Sequence, residues 1–269
     1  MQKTIIVASI ALITICSVMS CKYVMPERYV DYHKGRVPVN LPHDAKNADI
    51  DSNVDRSNAV IVTVTSDGQA YLGTDHSPLN RDELRDKLRE LAAKQSEEDR
   101  MVYLSVDVAA DYGAVVEVCD GIRTADVSRV GVLAFNPRHD WPARITVELP
   151  PQPNPNEDLS QLRPNPLILV VTISTDLKVK LNQEAFGSVN DLDPLAQKLQ
   201  QVFRMREEQY ALKPGYETRT DLPLSERIEK TLTIKAPRRV KYGDLVKVID
   251  AAKGAGANPI VLQLDDLPN

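Results

Sequence analysis

The sequence predicts an α+β protein of two tandem β-β-α-β-α-β domains, each a small mixed sheet with two helices on one face. Three observations predict it. First, a β-branched run with a polar break recurs: AVIVTVTSDGQAYL from Ala59 and LILVVTISTDLKVKL from Leu167. Aligning Asp67 with Asp176 also matches Val62 with Val171, Thr63 with Thr172, Val64 with Ile173 and Leu72 with Leu181. Second, ADYGAVVEVCDGIRTADVSRVGVL from Ala110 is repeated as VKYGDLVKVIDAAKGAGANPIVLQL from Val240, pairing Tyr112 with Tyr242, Gly113 with Gly243 and Asp120 with Asp250. Third, residues 136–166 hold eight of the chain's 18 prolines, a density that resists helix and central strand.

Each copy opens as a hairpin. Ser66-Asp67-Gly68 has suitable turn chemistry, whereas Ser174-Thr175-Asp176 lacks the glycine. An amphipathic helix follows, with Leu84, Leu88 and Leu91 in the first copy and Leu192, Leu195, Leu199 and Val202 in the second. Asn80 is placed to cap the first of these. The alternating charges from Arg81 to Arg89 read as its exposed face. Strands at 101–107 and 230–236 come next, then a helix buried over a wide arc through positions 115, 116, 118, 119 and 122. A final strand covers 130–135 or 260–264. The stretch 144–149 (RITVEL) has the alternation of one further edge strand for the first copy.

These boundaries divide the 269 residues into a signal or anchor (1–21), a flexible tether (22–58), a first domain (59–135), a proline-rich linker (136–166) and a second domain (167–269). The second domain carries a polar, loop-like insertion near 204–225. Helices cover one face of each sheet, so the opposite face must be solvated or paired. Exposed strand edges invite strand addition from a partner. A homodimer, or a pseudo-dimer of the two copies within one chain, would bury such surfaces.

A net charge of −5 argues against nucleic acid as a partner, because phosphate-backbone binding needs a basic face. At the amino terminus, Lys3 precedes an apolar run from Ile5 to Met19, short for a membrane span but suited to a signal-peptide core. Its ending, Val18-Met19-Ser20-Cys21, looks like a bacterial lipobox in which Cys21 is the lipid-attachment residue. An uncleaved anchor helix is the second reading, and plain secretion is a third. The first two tie the folded part to a membrane and place it outside the cytoplasm.

Chemistry is sparse elsewhere. His33, His43, His76 and His139 lack ligand spacing, so no metal is expected. Ser57, Ser77 and Ser105 lack a nucleophile setting. Gly254-Ala255-Gly256 reads as a helix stop rather than a phosphate loop. Cys119 lies on an apolar stripe and reads as a small buried hydrophobe. Tyr112 and Tyr242 read as packing residues at helix starts, with Asp111 as a cap, and Asp120 and Asp250 as a solvated face or local backbone acceptors. Trp141 reads as a partner anchor or a linker aromatic tucked on the first domain. No catalytic residue and no cofactor is assigned, and the chain is not expected to be an enzyme.

The residues 102–133, VYLSVDVAADYGAVVEVCDGIRTADVSRVGVL, resemble the periplasmic domain of the ExbD/TolR family of biopolymer-transport proteins. The preceding hairpin and the Leu84/Leu88 helix match the family's first half in order, and the second copy resembles it more loosely. The resemblance implies a partnership with an ExbB/TolQ-like inner-membrane channel subunit and a TonB/TolA-like envelope protein, with peptidoglycan as a further contact. The chain departs from the family in one respect: Ile5 to Met19 holds no acidic residue, where the family's transmembrane helix carries a proton-coupling carboxylate. Two functions follow as expectations. One is a membrane-tethered component of a biopolymer transport or envelope-energising system. The other is a structural lipoprotein that binds peptidoglycan or an envelope protein without motor coupling.

Overall fold

The computed structural model describes residues 35–56, 58–96, 100–138, 142–152 and 165–267. The expectations for Ile5–Met19, Cys16, Cys21, His33, Ser57, His139 and Trp141 therefore lie outside the described residues. Among the described residues, no helix is long and apolar enough to cross a membrane.

The first copy builds β2 (Val60–Val64), β3 (Ala70–Leu72), α1 (Arg81–Ala92), β4 (Val102–Val106), α2 (Tyr112–Thr124) and β5 (Arg129–Phe135). The second builds β7 (Leu169–Ile173), β8 (Lys178–Leu181), β9 (Glu184–Ser188), α3 (Asp193–Glu208), α4 (Leu224–Arg227), β10 (Leu232–Lys235), α5 (Tyr242–Gly254) and β11 (Ile260–Leu262). The predicted β-β-α-β-α-β order holds, with β9 and the one-turn α4 as additions in the second copy. Asn80 caps α1 in a full capping box: its Oδ1 accepts from the N–H groups of Asp82 and Glu83, and Glu83 accepts from the Asn80 N–H. α5 ends in a Schellman motif, with Gly256 at φ +96° and bonds from Gly256 N to Lys253 O and from Ala257 N to Ala252 O. In the second hairpin Leu177, at φ +62°, stands where the first has Gly68. The missing glycine is thus replaced by a leucine held left-handed, its side chain packed on the core.

Two further strands lie outside the repeat, β1 (Asp49–Ile50) and β6 (Pro142–Glu148). β6 corrects the linker expectation. Its seven residues pair antiparallel with all of β5, while its far end meets β11 in parallel at Glu148↔Val261. The stretch 144–149 is therefore central in the sheet, because the prolines cluster after it at 150–155 and leave its own N–H groups free to pair. The resulting order is β3-β2-β4-β5-β6-β11-β10-β7-β8-β9, one sheet through both copies, with β1 on β6. Since β5 and β6 are antiparallel and β6 and β11 parallel, the two copies run in opposite directions.

The tether expectation also fails from Val39 onward. Val39, Leu41, Ala45, Ala48 and Val54 are buried, and a short 3-10 helix spans Ser52–Asp55. Val39, Leu41 and Val54 pack on Ile61, Tyr103, Leu133 and Phe135, which point away from the helices. This strap covers the outer face of the first copy, so β2 and β4 are buried at every residue. In the second copy β7 alternates buried and half-buried, and β8 alternates exposed and buried. The repeat explains the difference. By the ladder registers, Ile61, Tyr103 and Leu133 correspond to Val170, Thr233 and Gln263, so the uncovered face has exchanged bulky apolar residues for smaller or polar ones. On the helix side a single core runs through both copies.

Candidate functional site: the junction of the two copies

The recurrent Tyr-Gly pair starts α2 and α5, as expected, but it also joins the copies. Tyr112 N donates to Val240 O (2.8 Å) and Gly113 N to Arg238 O (2.7 Å). In return Tyr242 N donates to Ala110 O (2.9 Å) and Gly243 N to Val108 O (3.0 Å). The first N–H groups of each helix, which have no partner within their own helix, are thus satisfied by the loop before the other. The exchange has the reciprocity of a two-fold interface. Both glycines keep the approach close. A Cβ on Gly113 would lie 3.1 Å from Arg238 Cβ, and one on Gly243 would lie 3.2 Å from Val108 Cβ.

Both tyrosine rings are fully buried, and burial pushes both hydroxyls far above the usual tyrosine range. Tyr112 donates to Gln263 O at 3.0 Å, across the junction. Asp111 makes no cap bond and instead pairs with Lys241 at 2.8 Å.

Asp120 and Asp250 are not merely solvated faces. Arg123, one turn after Asp120, bonds it through Nε (2.8 Å) and grips Asp265 of the second copy with both Nη atoms at 2.7 Å. The grip holds the Asp265 carboxyl below the usual carboxylate range. In α5 the corresponding pair, Asp250 and Lys253, turns to the strap. Asp250 accepts from Asn47 N (2.8 Å) and Asn47 Nδ2 (2.9 Å), and Lys253 pairs with Asp49 at 2.6 Å. Burial raises the Asp250 carboxyl above its ordinary value, against these bonds. Asp51 fastens the strap to the first copy through Arg144 (2.9 Å) and the Tyr103 hydroxyl (2.8 Å). The strap is therefore tied to both copies at once.

The remaining sequence candidates stay apart. Cys119 is buried on α2, its thiol pushed up to about 12 by desolvation. His43 packs against the Phe135 ring at 5.5 Å, and His76 is exposed. Ser105 is buried with no partner for its hydroxyl among the described residues. No group of three or more His, Cys, Asp or Glu residues placed to hold a metal occurs among the described residues. The insertion expected near 204–225 begins inside α3 and ends in α4. Buried Arg206 anchors it through Glu229 O (2.7 Å) and Leu167 O, and the bridge Leu212↔Ile228 closes it. The sequence places Asn47, Asp49 and Asp51 in the polar tether and does not reveal them as the strap's anchors. The alternation from Asn47 to Asp51 was the available signal, and the polar composition around it concealed it.

The family model described as "Biopolymer transport protein ExbD/TolR" matches residues 30–136 and again 140–267. The chain belongs to the ExbD/TolR family. Biopolymer transport is the family's role, and its members are transport-associated, envelope proteins rather than enzymes. The two matched ranges interlock in space: β6 lies in the second range but completes the sheet beside β5 of the first. No curated protein matches the chain.

Proposed function

We propose that this ExbD/TolR-family chain is a membrane-tethered periplasmic component of a biopolymer transport or envelope-energising system, acting through protein–protein contacts. One chain supplies both members of the domain pair. The observation that carries this is the reciprocal bonding of Tyr112 and Gly113 with the loop at 238–240, and of Tyr242 and Gly243 with the loop at 108–110. It joins two family domains as a two-fold interface joins two subunits. The partners are an ExbB/TolQ-like channel subunit and a TonB/TolA-like envelope protein, and Cys21 is the point of lipid attachment.

A second reading rests on the run Ile5 to Met19, which offers no ionisable group for proton coupling. It makes the chain a structural lipoprotein on peptidoglycan or an envelope protein, without a motor. Affinity purification of the tagged full-length protein from crosslinked envelopes separates the two, with Cys21→Ala as a parallel control. Recovery of a multi-span channel subunit supports the first. Recovery of wall fragments or outer-membrane proteins alone supports the second.

A further inference from the structure

At the foot of the first copy, where β2 and β4 begin, a concavity of about 480 Å³ opens between the strap, the end of α1 and the sheet. Four of its lining side chains are cationic: Arg56, Lys94, Arg129 and Arg144. Asn53, Asn58, Gln95 and Ser96 add polar groups, and none of the described lining residues is acidic. This concentration of positive charge stands out in a chain of net charge −5. We propose that the concavity binds a phosphate group.

Arg144 is the fixed member. Its Nε lies 2.9 Å from the Asp51 carboxylate, which also accepts from the Tyr103 hydroxyl, and its Nη1 donates to Met101 Sδ at 2.8 Å, so the guanidinium is held before any ligand arrives. Lys94 is the adaptable one. Its pair with Glu90, at 3.2 Å, joins two side chains exposed by two thirds or more, and such a contact is readily exchanged for a stronger anion. Arg56 has no side-chain hydrogen bond or ion pair among the described residues. Arg129 enters from β5, opposite Glu148 and already engaged with a partner that an incoming dianion must displace. Two or more guanidinium groups around one concavity match the oxygens of a tetrahedral dianion, each contact being charge-assisted.

Position limits the sources of that phosphate. Gly35 lies against Thr74, and Gly73 is bonded to Ile61 near the start of β2, so the amino-terminal segment joins the described fold at the same foot of the first copy. A phospholipid headgroup and free phosphate are the two sources. The phosphate chemistry itself stands apart from the transport reading above.

The test is calorimetric titration of the full-length protein with inorganic phosphate at low ionic strength, followed by flotation with phosphatidylglycerol and with phosphatidylcholine vesicles. Phosphate should bind, should weaken as salt is raised, and should lose about tenfold or more in affinity in the Arg56→Ala/Arg129→Ala variant. Arg219→Ala, an exposed arginine of the insertion paired with Asp221, should leave it unchanged. A preference for phosphatidylglycerol that the double variant loses assigns the headgroup as source. Phosphate binding with equal flotation on both lipids assigns free phosphate. No phosphate binding, or binding that the double variant retains in full, overturns the proposal. Arg56 and Arg219 are exposed and Arg129 is half-buried, and unaltered melting curves establish that both variants fold.

Discussion

Gly113 and Arg238 meet so closely that a Cβ on the glycine would sit 3.1 Å from the arginine Cβ and 3.3 Å from its carbonyl oxygen. Gly243 and Val108 repeat the relationship at 3.2 and 3.3 Å. A methyl group at either glycine gains helix propensity of about 1 kcal/mol, which offsets the small shift it forces. A valine gains less propensity, and its branches meet a backbone carbonyl that is itself accepting the glycine N–H. Gly113→Val and Gly243→Val should each cost about 1–3 kcal/mol, and Gly113→Ala close to nothing. Urea denaturation of the full chain checks the pair, and equal stability of the alanine and valine variants would refute the close-approach argument.

The bond from Arg123 to Asp265 predicts a pH dependence. The Asp265 carboxyl is held below its ordinary value, so its contribution is fully present above the unfolded value near 3.8 and is lost as pH falls through the lower folded value. Asp265 is 43% exposed, and solvent screening keeps the contribution under about 1 kcal/mol. Asp265→Asn should therefore lower stability slightly at neutral pH and merge with the parent below the usual carboxylate range. Melting temperature against pH for the two proteins measures it.

The strap gives a larger effect. Leu41 is fully buried in the cluster with Ile61, Tyr103, Leu133 and Phe135. Leu41→Ala should cost about 2–4 kcal/mol, a value that a flexible tether could not produce. A chain beginning at residue 57 should expose that cluster and aggregate, as light scattering would report. Asn47→Ala should cost about 1–2 kcal/mol, since it leaves the half-desolvated Asp250 carboxylate short of the side-chain donor.

Cys119 should be silent. A fully buried thiol pushed up to about 12 presents little thiolate at pH 8 and no path to a reagent. Comparing iodoacetamide labelling of the full chain with that of Cys119→Ser should show no difference in the native state. One additional label on the parent should appear only after unfolding.

Most of the repeat was legible because local patterning and burial agree there. The hairpins, the leucine stripes of α1 and α3 and the buried arc of α2 all carry their period in the chain. The Tyr-Gly recurrence was visible, but its purpose was not, since a glycine's close approach to a distant loop leaves no local trace. β6 and the strap were misjudged for a shared reason. Each is short, flanked by prolines or aspartates, and extended only because another part of the molecule supplies its partners: β5 for the first, α5 and the outer face of β4 for the second. Asp120 and Asp250 likewise looked like a solvated helix face, because Arg81 and Asn47 are remote in sequence, and Arg123, though one turn from Asp120, is fixed by the distant Asp265.

The divergence of the two outer faces yields the last prediction. Tyr103 and Thr233 occupy equivalent register positions, one beneath the strap and one on the uncovered face. Tyr103→Thr removes a ring from a packed cluster and strips a donor from buried Asp51, so it should cost about 3–5 kcal/mol. Thr233→Tyr places a ring on a half-exposed position with strand propensity at least as good, and should change stability by no more than about 0.5 kcal/mol. Denaturation of the two variants compares them directly. A comparable loss in both would mean that the second face is covered in solution as the first is, and that the residues exchanged between the copies do not record which face the strap protects.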